Sequence, residues 1–405
     1  MDNIKKSVTK TKSKRKKMKA FHQKVKVFRA KDPRMAVLMW GVSQSISQLS
    51  HVAHPVMLLK DDFKAYSKIK IDNHLYNKEN MPGHFKFKEY MPLVFRNLRE
   101  RFNIEEQLYA RSFLIQPCDS NASGNSGAKF LITKNKMFYI KTIEREEVEM
   151  MHQIMPSYHQ YVVESHSNTL LPQYLGMYRT TIDSKIEYYL IIRSVFSSRL
   201  KIHKKYDLKG SRVDREAKDS EKGKDFPTFK DNDFTRDNAK ISIGAKAKEV
   251  ILEKLKNDIN FLSNLNIMDY SLLVGIHDTE RDDNSDEDEL DGDEDFETGD
   301  DSGDGLDEPC SLDDLNIGPK FVRAESTHSN DPTLGNDFYA VQCIDDSKHE
   351  IYYIGIIDVL TYYGATKKAA HAAKTVKHGT GAEISTVKPH IYASRFLEFI
   401  ETAFE

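Results

Sequence analysis

The sequence predicts an α+β fold with two lobes, and three observations support this prediction. Segments with strand periodicity dominate the first half of the chain, whereas helical and strand patterns mix in the second half. The chain has 405 residues, enough for one large two-lobed domain. Hydrophobic residues make up 39% of it, which supplies a core and excludes a wholly disordered chain or a coiled-coil rod.

The first predicted element is a helix within an uncharged run over residues 35–59. Its apolar residues recur at helical spacing, at Met35, Leu38, Val42, Ile46 and Leu49. The run also contains eight serine, glutamine and histidine side chains, too many for a segment in hydrocarbon. We therefore predict an amphipathic helix docked on the protein, and no membrane span.

Strand and helix patterns follow along the chain. Residues 63–72 alternate, with Lys64, Lys68 and Lys70 on the outer face of a half-buried strand. The later predicted elements are a helix over 91–103, a hairpin over 129–132 and 137–143, a helix over 146–161, a strand over 186–193, a helix over 246–265, a strand over 351–357 and a helix over 392–404. This order places most strands before most helices.

Charge is concentrated in two arms outside this body. Residues 1–34 carry a net charge of +12 and form a basic tail, predicted to be disordered. A solvated arm, a nuclear localisation signal, a nucleic-acid arm and a membrane arm all remain open for it. Residues 278–308 carry −17, and the predicted disordered acidic insert covers about 279–335. A calcium loop in the insert is discounted because its twelfth position is Ser311.

Composition also bounds the class of protein. Three distant cysteines exclude a disulfide framework and a C-x-x-C zinc site, which predicts a reducing, intracellular environment. The first residues lack the apolar region of a secretory signal. The body shows no aromatic, basic stripe, so no nucleic-acid partner is expected.

Two features resemble a phosphate-binding site. A loop of small residues at 120–128 contains Gly124 and Gly127, and glycines let backbone amides approach phosphates. A flexible hairpin tip explains the same loop. Lys141 follows on an apolar strand, where an ammonium is costly without an anionic partner. An outward-facing lysine on an edge strand is the alternative, but an acidic helix beside both features favours a nucleotide site.

Two aspartates far downstream complete the candidate site. Asp358 ends the hydrophobic strand over 351–357, and Asp269 follows the helix over 246–265. An aspartate at the exit of a buried strand is placed to hold a metal ion or to activate a hydroxyl. A helix cap or a turn residue is the alternative interpretation of each aspartate.

Longer strings make the resemblance specific. The protein-kinase signatures H-R-D, D-F-G and A-P-E are absent, and so is a G-K-[ST] loop. The strings D-L-K-G-S at 207–211, M-D-Y-S-L-L-V-G-I-H-D at 268–278 and I-I-D at 356–358 resemble the phosphatidylinositol phosphate kinase family. The closest match is its type II branch, the phosphatidylinositol 5-phosphate 4-kinases. The resemblance runs from about residue 39 to the C-terminus, without the insert.

The resemblance implies a two-lobed fold of antiparallel sheets with packed helices, distantly related to protein kinases. The kinase domain would cover 35–405, with an N-lobe over about 35–192 and a C-lobe over about 193–405. It implies these nucleotide and catalytic residues: Gly124 and Gly127 in the loop, Lys141 on the α- and β-phosphates, Arg193, Ser194, Val195 and Phe196 as the hinge around the base, Lys205 near the nucleotide, Lys209 at the transferring phosphoryl group, Asp269 near the attacking hydroxyl and Asp358 on Mg²⁺. The carboxylate that pairs with Lys141 stays open between Glu147 and Glu149.

The resemblance also implies the lipid-binding residues. Arg215 and Lys230 match positions expected to grip the inositol phosphate, with Arg212 as an addition. The segment over 367–379 supplies Lys367, Lys368, Lys374 and Lys377, a cluster suited to an anionic membrane surface. A solvated loop or a short helix is the alternative from composition. Ala370 stands where the 4-phosphate 5-kinases of the family carry glutamate.

These expectations combine into a lipid kinase that uses ATP and Mg²⁺ to phosphorylate the 4-hydroxyl of phosphatidylinositol 5-phosphate. The family further implies a homodimer built on N-terminal elements, with a flat basic face toward a phosphoinositide membrane. We expect a cytoplasmic, peripherally membrane-associated protein, and a nuclear pool is compatible with its basic tail. The rivals are 5-kinase activity on phosphatidylinositol 4-phosphate, a largely non-catalytic phosphoinositide-binding scaffold and a protein kinase.

Overall fold

A computed structural model describes residues 28–72, 80–120, 127–281, 337–342, 349–364 and 387–405. The described residues form eight helices, α1 to α8, and twelve strands, β1 to β12, which build two sheets. Most of the basic tail and most of the acidic insert lie outside the described residues.

The first sheet has seven strands and is antiparallel throughout. Its strands are β1 (Tyr66–Ile71), β2 (Phe85–Tyr90), β3 (Cys118–Asp119), β4 (Phe130–Ile132), β5 (Phe138–Ile143), β6 (Tyr174–Ile182) and β7 (Lys185–Arg193). The spatial order is β1-β2-β6-β7-β5-β4-β3. The predicted strand over 63–72, the hairpin and the strand over 186–193 are confirmed, whereas β2 and β6 were not predicted.

Four helices accompany this sheet: α1 (Pro33–Leu49), α2 (Pro92–Arg101), α3 (Glu106–Arg111) and α4 (Arg145–Glu164). Asp32 caps α1, since its carboxylate accepts a hydrogen bond from the Arg34 amide, and Pro33 fits the first helical position. All five apolar positions predicted for α1 are buried, which confirms a docked helix that ends at Leu49. The predicted helices over 91–103 and 146–161 correspond to α2 and α4.

The second sheet has five strands: β8 (Lys204–Leu208), β9 (Thr228–Lys230), β10 (Ser271–Asp278), β11 (Ala340–Gln342) and β12 (Glu350–Ile357), in the order β11-β12-β10-β8-β9. The β8 and β9 strands pair in parallel, whereas the other neighbouring strands of this sheet pair antiparallel, as expected. The remaining helices are α5 (Asp219–Lys222), α6 (Asp231–Arg236), α7 (Ala245–Asn264) and α8 (Pro389–Ala403). Residues 194–203 connect the two sheets, close to the predicted boundary between the lobes.

A buried carboxylate on α7 ties that helix to α4 and to the chain entering β6. Asp258 accepts hydrogen bonds from the Tyr161 hydroxyl at 2.7 Å, the Thr169 hydroxyl at 2.6 Å and the Leu170 amide at 2.7 Å. Burial raises the pKa of Asp258 to about 6. The rings of Tyr161 and Phe261 stack beside it at 4.3 Å. The C-terminal end of α4 is therefore anchored to α7.

No helix within the described ranges is long and apolar enough to cross a membrane.

Candidate active site

Lys141 lies in the middle of β5 and points to a carboxylate on α4. Its side chain is 11% exposed, and its Nζ lies 3.3 Å from Glu147 Oε1. The other carboxylate oxygen of Glu147 accepts a hydrogen bond from the Glu144 amide at 2.9 Å, which fixes the start of α4. Glu149 instead pairs with Arg145 at 3.1 Å. The structure therefore decides the open question in favour of Glu147.

Asp358 directly follows β12 at the cleft between the two sheets. Its backbone has a φ of 61°, a left-handed conformation that is uncommon for aspartate. The side chain reaches solvent, but the protein around the cleft displaces enough water to raise its pKa. Lys141 and Lys209 oppose this rise, while Asp207 and Asp269 add to it. Four charged groups, from both sheets, are therefore close enough to Asp358 to influence its charge.

Asp269 approaches the cleft from the segment between α7 and β10. It also has a positive φ, 66°. Lys209 donates from Nζ to the Asp269 carbonyl at 2.7 Å and to its Oδ1 at 3.0 Å. The two residues are 60 positions apart in the sequence, and the predicted catalytic ammonium and carboxylate meet directly.

Asp207, at the start of the D-L-K-G-S string, is a further carboxylate of this cleft. It lies on β8, opposite Leu273 of β10 and Lys230 of β9. Burial would raise its pKa, but Arg215 and Lys209 outweigh burial and lower the pKa. The D-L-K-G-S string predicted a role for Lys209 but none for Asp207. Its position beside the exit of a buried strand was the available signal, the same one that identified Asp358.

Arg215 and Lys230 both lie beside Asp207. Arg215 is 8% exposed, with Nη2 2.8 Å from Asp207 Oδ1 and Nε 2.6 Å from Asp231 Oδ2. Its guanidinium is thus already paired with two carboxylates. Lys230 is half-buried, and burial together with Arg215 lowers its pKa. Lys209 also acts on Lys230, so cations accumulate where the resemblance places the inositol phosphate.

The predicted hinge residues follow β7, between the two sheets. The Ser194 amide donates to the Met137 carbonyl at 2.8 Å, which ties the hinge to β5. Arg193 donates to the Phe102 carbonyl at 3.2 Å and to Gln173 Oε1 at 3.3 Å, so its guanidinium faces the first sheet.

Val195 and Phe196 rest on two glycines of the second sheet. A Cβ at Gly275 would lie 2.4 Å from the Phe196 ring, and one at Gly355 would lie 2.9 Å from Val195. Both glycines are needed because the hinge side chains occupy the space beside them.

Lys205 lies on β8 next to Gly275 of β10, near the hinge. It is 6% exposed, and burial lowers its pKa to about 8. Its Nζ lies over the Phe226 ring, 4.1 Å from the centroid.

Gly127 has a φ of 71° with open space around it, so the backbone conformation, and not crowding, favours glycine there.

Several predicted residues fall outside the described ranges. They are Gly124 of the loop and Lys367, Lys368, Ala370, Lys374 and Lys377 of the basic segment. Their predicted roles stay predictions.

Comparison with known sequences decides the family. The family model described as phosphatidylinositol-4-phosphate 5-kinase matches residues 116–403. The chain belongs to the phosphatidylinositol phosphate kinase family. Phosphatidylinositol 5-phosphate 4-kinase type-2 alpha from Mus musculus and from Homo sapiens are each 53% identical to it, over 98% of both chains. The type-2 beta protein from Homo sapiens is 53% identical over 93% of this chain and 92% of its own.

Membership of the phosphatidylinositol phosphate kinase family confirms the resemblance and the α+β fold class read from the sequence. A kinase family implies ATP as the co-substrate. Asp207 and Asp231 are two carboxylates near this cleft to which the sequence analysis assigns no role.

Proposed function

We propose that the chain is a lipid kinase that transfers the γ-phosphate of ATP to the 4-hydroxyl of phosphatidylinositol 5-phosphate, which gives phosphatidylinositol 4,5-bisphosphate. One observation carries the proposal: Lys141, Lys209, Asp207 and Asp269 all lie close enough to Asp358 to shift its pKa, and Lys209 contacts Asp269 directly. The proposal also draws on the names of the relatives, which are phosphatidylinositol 5-phosphate 4-kinases.

Phosphoryl transfer depends on positioning and on neutralising charge more than on covalent help. Lys141, oriented by Glu147, would bind the α- and β-phosphates. Gly124, Gly127, the hinge residues Arg193, Ser194, Val195 and Phe196, and Lys205 would surround the rest of the nucleotide. A hinge fixed by the Ser194 amide and by contacts on Gly275 and Gly355 would keep the base in one orientation.

Mg²⁺ fits the donor set at the base of the cleft. Asp358 and the nearby Asp207 offer carboxylate oxygens, the ligands that Mg²⁺ prefers, and Mg²⁺ at such sites needs only one or two carboxylates besides substrate phosphates. Asp358 would hold the ion, which would neutralise charge on the triphosphate. The carboxyl must be ionised to do so, and Lys141 and Lys209 favour its ionised form.

Asp269 and Lys209 would act on the two reacting groups. The Asp269 carboxylate is placed to accept the proton of the attacking hydroxyl, while Lys209 would stabilise charge on the transferring phosphoryl group. Their contact at 3.0 Å orients both side chains before substrate arrives.

The lipid headgroup would lie beside these residues. Lys230 and Arg215 would contact the phosphate on the inositol ring, and Arg212 would add charge. Lys367, Lys368, Ala370, Lys374 and Lys377 would complete the lipid site, with Ala370 favouring the 5-phosphate lipid over the 4-phosphate lipid.

Cations on the first sheet support docking on an anionic membrane. Antiparallel register places Lys141, Leu190, Met177, Tyr90 and Tyr66 in one cross-strand row, and therefore on one face. The neighbouring rows of the same face carry Lys68, Lys70, Lys86, Lys88 and Arg179, which we call the basic face. The basic face and the catalytic lysine thus share a side of the sheet.

The charges of the basic face are crowded. Partial burial lowers the pKa of Lys88, and Arg179 and Lys68 lower it further by repulsion. An anionic surface would relieve this repulsion, and each surface lysine contributes roughly 1 kcal/mol at such a surface.

The first sheet also supports a homodimer. Its edge strand β1 pairs only with β2 among the described residues, and an open edge is a site for pairing with a second chain. The preceding segment exposes Val56, Met57 and Leu59, with Met57 69% exposed. Sedimentation should give a species of about twice 46.7 kDa, and a single species at 46.7 kDa would contradict the dimer.

The decisive experiment compares the two pure lipids with labelled ATP and Mg²⁺. We expect product from phosphatidylinositol 5-phosphate, little from phosphatidylinositol 4-phosphate, and loss of product in Asp269→Asn with folding intact. Preference for the 4-phosphate lipid would identify a 5-kinase. No lipid product above Asp269→Asn would favour the scaffold, and peptide phosphorylation without lipid would favour a protein kinase.

A further inference from the structure

Residues 207–211 end β8 and form a turn that carries Lys209 away from the strand. Lys209 is the residue whose ammonium contacts Asp269. The turn closes against α8, because a Cβ at Gly210 would lie 3.0 Å from the Arg395 carbonyl oxygen and from Phe396 Cα. Its backbone therefore has little room to change without moving Lys209.

Asp231, the first residue of α6, binds the backbone of this turn. It is 1% exposed, and its Oδ1 accepts hydrogen bonds from the amides of Lys209 at 2.8 Å and Gly210 at 2.7 Å. The Ser211 amide is 3.4 Å from the same oxygen. One buried carboxylate oxygen thus faces consecutive amides, an arrangement that fixes the backbone on which Lys209 stands.

The second oxygen of Asp231 completes a buried connection. It accepts from Arg215 Nε at 2.6 Å, and the same guanidinium reaches Asp207 Oδ1 at 2.8 Å. Arg215 compensates the charge of Asp231, which would otherwise be costly inside the protein. The connection runs from Arg215 through Asp231 and the turn to Lys209, and ends on Asp269.

We propose that Asp231 is a positioning residue for phosphoryl transfer, because its carboxylate fixes the turn that aims Lys209 at Asp269. The inference rests on the role proposed above for Lys209. At saturating lipid, where the contact of Asp231 with Arg215 matters least, Asp231 acts on the reaction through Lys209. Its loss should therefore lower kcat and leave the KM for ATP nearly unchanged, since Lys209 acts on the transferring phosphoryl group.

The chain offers a matched control two residues away. Asp233 is 0% exposed and accepts from the Ala217 amide at 2.8 Å, the Lys230 amide at 3.1 Å and Arg236 Nη2 at 2.6 Å. It resembles Asp231 in burial and in its backbone and arginine partners, but these hydrogen bonds go to Ala217, Lys230 and Arg236 and not to the 207–211 turn. Asp233→Asn therefore reports the cost of disturbing a buried carboxylate in α6.

The experiment measures kcat on a short-chain phosphatidylinositol 5-phosphate at saturating lipid, together with the KM for ATP and thermal unfolding. Asp231→Asn should lower kcat by roughly 10- to 100-fold with the KM for ATP within about twofold. Asp233→Asn should lose similar stability but keep kcat within about threefold. Equal losses of kcat in both variants would overturn the proposal.

Two further variants separate the possible failures. Lys209→Met combined with Asp231→Asn should be no slower than Lys209→Met alone, because both act through one ammonium. If the two substitutions lowered kcat by multiplying factors in the double variant, the positioning role of Asp231 would be overturned, but the role of Lys209 would not. Wild-type activity in Lys209→Met would overturn the role of Lys209 itself, and the inference with it. If Asp231→Asn does not fold, Asp231→Glu keeps the charge while shifting the oxygens, and it should also lower kcat; an unchanged kcat contradicts the proposal.

Discussion

At the scale of single residues, the two aspartates of the cleft share an unusual backbone. Asp269 and Asp358 have φ angles of 66° and 61°, in the left-handed region where non-glycine residues are uncommon. Such conformations cost free energy and concentrate at functional sites, where the surrounding structure holds them. Both residues follow or precede a buried strand, so the sheet supplies the rigidity that keeps each carboxylate in place.

The paired lysine of β5 yields the first prediction. Lys141→Met removes the ammonium held by Glu147, so kcat/KM should fall by roughly 100-fold or more in the lipid kinase assay. Lys185→Met, an exposed lysine of the same sheet, is the control and should retain wild-type activity. Equal activity of the two variants would remove Lys141 from the site.

A buried carboxyl of β2 predicts a pH dependence of stability. Burial raises the pKa of Glu89 to about 7, from a model-compound value of 4.5, and no hydrogen bond to its Oε1 is found among the described residues. Because the folded state holds the proton more tightly, this group's contribution to stability is present below pH 4.5 and is lost as pH rises to about 7.

Glu89→Gln should therefore stabilise the protein by ~1–3 kcal/mol at pH 8 and change little at pH 5. Thermal unfolding at the two pH values measures the difference. Glu106→Gln is the contrasting variant and should destabilise at both, since Glu106 pairs with buried Arg99 at 3.0 Å. A Glu89→Gln variant that loses the same stability at both pH values would show that the carboxyl is not protonated in the fold.

At the scale of elements, the contact between the hinge and β10 yields a prediction for the proposed nucleotide site. Gly275→Ala would place a Cβ 2.4 Å from the Phe196 ring and push the hinge away from the second sheet. Overpacking of this kind costs about 1–3 kcal/mol, so the KM for ATP should rise about tenfold.

Gly83→Ala is the matched control, because nothing lies within 4 Å of a Cβ built there. It should leave both Michaelis constants unchanged, while Gly275→Ala should leave the KM for lipid near that of the wild type. Steady-state kinetics with each substrate varied in turn tests this, and an unchanged KM for ATP in Gly275→Ala would mean that the base does not contact the hinge.

At the scale of the whole molecule, the basic face and the cleft open on the same side of the first sheet. Lys68 and Lys86 are both exposed on that face. The double variant Lys68→Glu/Lys86→Glu should weaken binding to vesicles containing anionic phosphoinositide by about tenfold or more at low salt, and the loss should shrink as salt rises.

The same charge reversals on α7 provide the control. Lys246→Glu/Lys256→Glu changes the net charge equally but lies on another surface, so it should bind vesicles nearly as the wild type does. Both double variants should phosphorylate a dispersed short-chain lipid at the wild-type rate. Equal loss of vesicle binding in the two would indicate that net charge, and not the basic face, drives docking.

Local patterns in the sequence were enough to predict the periodic helices and strands, and the kinds of side chain at the candidate site. Helix α1, the hairpin of β4 and β5, and the strand that ends at Asp358 follow from apolar spacing, which is a local property. The alternation Phe85-Lys86-Phe87-Lys88 is also a local signal for β2, a strand that was not predicted. Strand β6 had no such alternation, because it is buried on nearly its whole length.

Contacts between site residues that are distant in the sequence became known from the three-dimensional fold. Glu147 and Glu149 are equivalent in the sequence, and the direction of α4 against β5 selects Glu147 as the partner of Lys141. Lys209 and Asp269 are 60 residues apart, and the pairing of β8 with β10 brings them together. The importance of Asp231 arises the same way, because a hydrogen bond depends on distance in space and local periodicity carries no information about distant neighbours.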